Sequence, residues 1–279
     1  MICIDNEMNQ TVFTQSQKEN DFLKVQQHMK DRFFIGRLSG NETRLSGLVL
    51  NDKPIENILI QNMLYVAGIQ FKTKQDLIDY VELYDRSCKN STMLGVWDAG
   101  MYKQAELYYP RITSDTICAH SLEPYYFMNM PEYDLPSMYK DKKVLIITSH
   151  YHTTKSQIKN IHTIYSKPIF HETTEFIIYK PPQQNGGSHD EHNWKHHFDI
   201  MKKEIEGLLF DIALVSCGGF GMIISDYIYS LGANVIYVGG ALQLFFGIDG
   251  SRWNKKDFIK PFEEDKPKYT KLCENSCYW

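Results

Sequence analysis

Residues 210–240 contain two short apolar runs that are each followed by a glycine-rich turn, with one amphipathic stretch between them. The first run leads into Ser-Cys-Gly-Gly-Phe-Gly at 216–221, and the second leads into Gly239 and Gly240. The stretch between them has helical periodicity and stops at Gly232. This pattern predicts a strand–helix–strand unit with glycines at the carboxyl ends of both strands, which is the edge where parallel sheets bind ligands.

Glycine at such an edge allows the backbone to approach a ligand closely, and a helix N-terminus behind it favours phosphate. A dinucleotide fingerprint is incomplete here, because Gly219 and Gly221 are followed by Ile224 where the third glycine should stand. No acidic residue follows the second strand, where a dinucleotide site would hold the ribose. The same absence disfavours a methyltransferase that binds a ribose at this position. The Gly-Lys-Ser/Thr sequence of a Walker loop is also absent. Two interpretations of the glycine turns stay open. They form a phosphate or nucleotide loop of another kind, or they serve packing alone.

The composition is that of an ordinary globular protein, with 43% hydrophobic and 23% charged residues among 279. The net charge of −4 does not favour a nucleic-acid partner, which selects basic surfaces. No stretch approaches the roughly 18–20 apolar residues of a membrane helix. The polar N-terminus has no features of a signal peptide. We therefore expect a cytoplasmic protein with no membrane partner, and six reduced cysteines.

Strands and helices alternate in the second half of the chain, which predicts an α/β fold with a Rossmann-like parallel sheet flanked by helices. Further strands are expected at 33–36, 94–97, 143–148 and 170–179. Further helices are expected at 19–32, 54–69, 74–88 and 193–208, and from a cap at Thr153 or Thr154 to residue 165. The expected organisation is a flexible tail at 1–18, a single domain at 19–255 and a C-terminal extension at 256–279.

Four histidines cluster between residues 189 and 197. His192 and His196 would lie one helical turn apart, a spacing that zinc sites use. No pattern of a carboxylate with a third ligand completes a zinc site in the sequence. A solvated loop and helix face is therefore the expected environment of these side chains.

Several short motifs occur in the order found in proteins encoded by bacterial polysaccharide gene clusters, over about residues 30–255. They are Ile35-Gly-Arg-Leu-Ser-Gly-Asn-Glu42, Gly95-Val-Trp97, Glu123-Pro-Tyr-Tyr126, Thr153-Thr-Lys-Ser-Gln157, Ser216-Cys-Gly-Gly-Phe-Gly221 and Val238-Gly-Gly-Ala-Leu-Gln-Leu-Phe-Phe-Gly-Ile-Asp-Gly-Ser-Arg-Trp253. Through these proteins the chain resembles the GT-D type glycosyltransferases. The resemblance implies a Rossmann-like sheet, a nucleotide sugar donor and a glycan or glycoprotein acceptor.

The length and the Asn- and Lys-rich composition also resemble a glycosyltransferase of the large DNA viruses that infect algae. That second resemblance implies xylose as a candidate sugar and the host cytoplasm as the location. The leading hypothesis is transfer from a UDP-linked sugar to a glycan hydroxyl, with a carboxylate base and inversion. A non-catalytic nucleotide- or sugar-binding protein, or a methyltransferase, are the alternatives.

Sugar transfer requires a base for the acceptor hydroxyl and groups that stabilise the departing diphosphate. Glu42 is the first candidate for the base and Asp98 the second, although Glu42 at a helix start also fits a simple cap. Candidates for donor and phosphate binding lie at turns and strand ends or carry positive charge. They are Gly36, Arg37, Thr153, Gln157, Cys217, Gly218, Gly219, Gly221, Gly239, Gly240, Gln243 and Arg252. His150 and His152 are candidates on the acceptor side.

One departure from the GT-D pattern concerns the metal. Those enzymes carry an Asp-x-Glu pair that is thought to hold a divalent cation, whereas Gly40 stands at the Asp position here and only Glu42 remains. One carboxylate is a poor ligand set for Mn²⁺ or Mg²⁺. The resemblance therefore implies such a cation at Glu42 only if the substrate phosphates supply further ligands.

Overall fold

The computed structural model describes residues 4–5, 10–11, 14–97, 106–128, 130–182, 184 and 188–248. Seven strands form one sheet in which every neighbouring pair is parallel. They are β3 (Phe34–Arg37), β4 (Met93–Val96), β5 (Asp115–Cys118), β6 (Lys143–Thr148), β7 (Glu175–Tyr179), β8 (Ile212–Ser216) and β9 (Asn234–Tyr237). The order is β5-β4-β3-β9-β8-β6-β7, which confirms the predicted α/β class. Two short strands, β1 (Ile4–Asp5) and β2 (Gln10–Thr11), form a separate antiparallel pair.

Helices occupy most connections between the strands. They are α1 (Gln15–His28), α2 (Gly40–Val49), α3 (Asn57–Asn62), α4 (Lys74–Asn90), α5 (Pro124–Phe127), α6 (Leu135–Met138), α7 (Tyr151–Gln157), α8 (Trp194–Glu206), α9 (Gly221–Ser230) and α10 (Leu242–Phe245). A π-helical turn, Met63–Ala67, continues α3. Within the described residues, none of these helices has the length and apolar character needed to span a bilayer.

The central strands are buried on both faces. Successive side chains of a strand point to opposite faces, and in β6 Val144 and Ile146 join one core cluster while Leu145 and Ile147 join the other. The first cluster packs beneath α1, and the second packs beneath α4, α8 and α9. Burial on two faces explains why these strands have continuous apolar sequences.

Several boundaries differ from those expected. α1 begins at Gln15, where Thr14 and Gln17 form a capping box, so residues 15–18 are helical and not part of a tail. The predicted cap of α7 is wrong, because the helix begins at Tyr151 and the Thr154 amide already donates to the His150 carbonyl. That helix also ends earlier than predicted, with a short 3₁₀ turn after Gln157. α3 begins three residues after Pro54, with Glu56 at its N-cap.

Candidate functional site

A cleft of about 310 Å³ opens at the carboxyl ends of the parallel strands. The segments that follow β3, β4, β6, β7, β8 and β9 all contribute to its lining. Eight of the predicted site residues meet there: Arg37, Glu42, His150, Cys217, Gly218, Gly239, Gly240 and Gln243. The cleft therefore lies at the edge of the sheet where parallel α/β folds bind their ligands.

The first glycine turn, after β8, accepts hydrogen bonds from two tyrosine hydroxyls. The Tyr237 hydroxyl donates to the Gly218 carbonyl at 3.0 Å, and the Tyr80 hydroxyl donates to the Gly219 carbonyl at 2.7 Å. Gly218 has a φ of +57°, and a Cβ there would lie 2.6 Å from the Ala67 carbonyl oxygen. α9 begins directly behind this turn, so its N-terminal end favours an anion in the cleft.

Gly221 lies behind the first glycine turn and does not line the cleft. A Cβ on Gly221 would lie 2.0 Å from a ring carbon of Tyr237, the residue that holds Gly218. We expect Gly221→Ala to lower the free energy of unfolding by about 1–3 kcal/mol through overpacking. Denaturant unfolding measures the loss.

Gly207→Ala is the matched control for that measurement, because its Cβ would meet only the Glu204 carbonyl, at an ordinary 3.7 Å. Its expected change is within about 0.5 kcal/mol. Equal stability of the two variants would show that Tyr237 moves aside freely.

The second glycine turn, after β9, packs against Arg37. Gly239 has a φ of +66°, and a Cβ there would lie 2.9 Å from Nη1 of Arg37. The same Nη1 donates to the carbonyl oxygen of Val238. Arg37 at the end of β3 thus fixes the turn that follows the neighbouring strand.

Arg37 is buried in an ion pair with Glu123, whose Oε1 accepts from Nη2 at 2.5 Å. Nδ1 of His120 lies 3.2 Å from the other carboxylate oxygen, and the guanidinium stacks 4.4 Å from the Trp97 ring centroid. Burial alone would raise the pKa of Glu123, but the hydrogen bond with His120 and the charge of Arg37 outweigh it, so the pKa is lowered. Both Nη groups of Arg37 are thus committed to the protein, and buried Nε has no partner among the described residues.

Glu42 lies in the first turn of α2, and its side chain is buried where it lines the cleft. Burial raises the pKa of Glu42, and hydrogen bonds from its own backbone amide and the Ser39 side chain only partly oppose this. A buried carboxyl with a raised pKa in a cleft is a candidate general base, because a higher pKa makes its ionised form the stronger base.

The cleft fits a divalent metal ion poorly on the protein side. Among its described lining residues, Glu42 supplies the single carboxylate. Mg²⁺ and Mn²⁺ need several oxygen ligands, so the substrate would have to provide nearly all of them.

Cys217 also lines the cleft, in the turn after β8. Burial raises the pKa of its thiol, which therefore stays protonated at neutral pH. A contact through the backbone of this turn suits the residue better than nucleophilic chemistry at its sulfur.

The remaining predicted site residues lie elsewhere. Gly36 is inside β3, where a Cβ would lie 2.9 Å from both Leu94 and Met222, and Gly219 packs against Ile69. Gln157 donates from Nε2 to the Phe246 carbonyl at 3.0 Å and so ties α7 to the segment after α10. The residues that do not line the cleft are Gly36, His152, Thr153, Gln157, Gly219 and Gly221. Asp98 and Arg252 lie outside the described residues.

Sequence reasoning missed part of the cleft, namely Ser39, Trp97, Gln184 and Tyr237 in its lining and His120 and Glu123 behind Arg37. Glu123 belongs to the Glu-Pro-Tyr-Tyr motif, which was the one available signal for it. Its partner Arg37 is 86 residues away, so no local pattern links the two.

Comparison with models of protein families and with curated proteins finds no match. Among solved structures, a glycosyltransferase (DUF1792) from Streptococcus sanguinis is matched over 82% of this chain and 81% of its own. The identity is 11% and the TM-score 0.30. A likeness of this degree carries no argument about activity, so function is argued from the cleft.

Proposed function

We propose that the chain is a glycosyltransferase that moves a sugar from a nucleoside diphosphate donor to a glycan hydroxyl, with inversion. The observation that carries the proposal is the buried carboxyl of Glu42, whose pKa is raised, in the same cleft as two glycine turns. This combination supplies a base next to backbone that a diphosphate can approach closely.

The donor diphosphate is proposed to lie against the turns at Gly218 and at Gly239–Gly240. The N-terminal ends of α2 and α9 favour negative charge at this edge. Arg37 is the permanent cation among the described lining residues, and its positive charge favours a diphosphate in the cleft. Gln243, which lines the cleft beside the second turn, is the proposed contact to the ribose or base.

In the proposed reaction, Glu42 removes the proton of the acceptor hydroxyl as that oxygen attacks the anomeric carbon. The bond from this carbon to the β-phosphate oxygen breaks, and its electron pair leaves with the nucleoside diphosphate. Backbone N–H groups at the two turns stabilise the negative charge that develops there. His150, which is buried and lines the cleft, is the proposed acceptor-side contact.

A donor screen by thermal unfolding tests the binding half of this proposal. We expect uridine diphosphate to raise the melting temperature, because ligand at 100 times its dissociation constant stabilises by about 2.7 kcal/mol. UDP-xylose and UDP-glucose, each with and without Mn²⁺, distinguish the donor sugar and any metal requirement. S-adenosylmethionine is the negative control. A shift with S-adenosylmethionine and none with any nucleoside diphosphate would contradict the proposal.

Turnover separates an enzyme from a binding protein. We expect slow release of UDP from a bound UDP-sugar even without acceptor, as water takes the place of the hydroxyl. A protein that is stabilised by UDP-sugars but releases no UDP, with or without glycan acceptors, would be the non-catalytic alternative.

A further inference from the structure

We propose that Asp190, His192 and His197 form a Zn²⁺ site at the start of α8, next to the proposed sugar-transfer cleft. One ligand atom from each of these residues lies within 4.8 Å of the other two. Two imidazoles with one carboxylate form a donor set that suits Zn²⁺ and leaves a fourth position for water. This proposal does not depend on the reaction that the cleft catalyses.

Two of the three distances within the cluster are close to those of tetrahedral coordination. Oδ1 of Asp190 lies 3.0 Å from Nε2 of His197 and 3.4 Å from Nδ1 of His192. Zn²⁺ bonds of about 2.0–2.2 Å at tetrahedral angles place neighbouring ligand atoms about 3.3–3.5 Å apart. One ring nitrogen of His192 and one of His197 lie within 4.8 Å of each other, so both can approach one ion, which would take the place of the hydrogen bond between His197 and Asp190.

The local backbone explains why these three residues converge. α8 begins at Trp194, and the side chain of Asn193 accepts from the His196 amide as its N-cap. His192 therefore precedes the helix, while His197 is buried in its second turn. The expected environment was a solvated loop and helix face, whereas His192 and His197 both contact the carboxylate of Asp190. The rings of His192 and His196 stack with centroids 3.9 Å apart.

The cluster also has a supporting hydrogen bond and an open side. The backbone amide of His192 donates to Oδ1 of Asp190 at 2.8 Å, which orients the carboxylate as outer-shell partners of metal ligands do. His192 and Asp190 are about half exposed, at 53% and 47% of their side-chain surface. A metal ion can therefore reach the site from solvent.

The cluster is connected to the cleft through one hydrogen bond from a backbone amide to a side chain. The amide of Asp190 donates to Oε1 of Gln184 at 3.1 Å, and Gln184 is buried in the cleft wall. Coordination of Asp190 would thus anchor the segment that carries Gln184 to α8. The ion would therefore hold Gln184 at the edge of the cleft, with its fourth position open to water.

Zinc titration of the full chain tests the site. Protein dialysed against a chelator is titrated with Zn²⁺ in competition with a chromophoric chelator. We expect one Zn²⁺ per chain. His192→Gln should weaken binding more than about 100-fold, since loss of an outer-shell partner alone costs 10–100-fold. His162→Gln is the control, an exposed histidine outside the cluster that should leave the affinity unchanged.

A further measurement on the wild-type protein keeps the test decisive. His197→Gln removes a buried side chain and can fail to fold, so exposed His192 carries the main comparison. Co²⁺ substituted into the wild-type protein should give the intense visible absorption of a four-coordinate ion. No binding at micromolar Zn²⁺, a weak six-coordinate Co²⁺ spectrum, or equal losses in His192→Gln and His162→Gln would each overturn the assignment.

Discussion

Glu42→Gln should lower the rate of sugar transfer by about 100- to 10,000-fold, the usual contribution of a general base. Glutamine keeps the shape of the side chain but cannot accept the proton of the acceptor hydroxyl. UDP should still raise the melting temperature of the variant, because the proposed diphosphate contacts come from the glycine turns. Release of UDP in the presence of a glycan acceptor measures the loss.

Glu82→Gln, on the exposed face of α4, is the control for the change of charge and should leave the rate unchanged. If Glu42→Gln lost UDP binding and turnover to the same extent, Glu42 would belong to the donor site instead. If its rate matched that of Glu82→Gln, the proposed base would be wrong.

Stability provides a second measurement on the Glu42→Gln variant. Burial raises the pKa of Glu42 in the folded protein, so the folded state binds this proton more tightly than the unfolded state. The protonated Glu42 side chain therefore contributes stability that is complete below the ordinary pKa of a carboxyl group. This contribution is lost as pH rises through the pKa of Glu42 in the folded protein. Glutamine does not titrate, so the stability of Glu42→Gln relative to wild type should rise as pH rises through this window. A stability difference that stays the same across pH would contradict this account of its burial.

Arg37→Met should lower the free energy of unfolding at neutral pH by about 3–5 kcal/mol, the cost of leaving a buried charge without its partner. Methionine keeps much of the volume, but Glu123 then loses its cation and the Val238 carbonyl loses a donor. Denaturant unfolding measures the change. Arg44→Met is the control, because the Arg44 ion pair with 59% exposed Glu56 should contribute at most about 1 kcal/mol.

A double substitution and a pH series identify the cause of that loss. Arg37→Met with Glu123→Leu removes both charges and should recover much of the stability. The pKa of Glu123 is lowered in the folded protein, so the ion pair stabilises above the ordinary carboxyl pKa and this contribution disappears as pH falls through the folded pKa. The deficit of Arg37→Met should therefore shrink in acid. A deficit independent of pH and of Glu123 would point to lost packing on Trp97.

The central strands and the glycine turns could be predicted because their chemistry is local. β6 and β8 are buried on both faces and therefore have continuous apolar sequences. β5 was not predicted, because Asp115–Cys118 is an edge strand with only two fully buried residues. At the other edge, β7 was predicted too long, because Phe170 is apolar for packing against Tyr139 and Phe176 rather than for strand pairing.

Part of the candidate site could likewise be predicted from the sequence, and part could not. The meeting of Glu42 with the turns at Gly218 and Gly239 follows from parallel strands that end at one edge. Arg37 and Glu123 come together only in the tertiary structure, so no spacing in the sequence predicts their ion pair. Asp190 and His192 lie in the loop before α8, where no periodicity predicts that they meet His197.

The hydrogen bond between Arg37 and the Val238 carbonyl joins residues 201 positions apart in the chain. β3, the first strand of the large sheet, pairs with β9, the last, so the floor of the cleft stays incomplete until the ribosome has released both. Contacts between such distant segments form slowly, because a long loop must close first. A nascent chain that stops short of β9 therefore carries Glu42 without the cleft it serves.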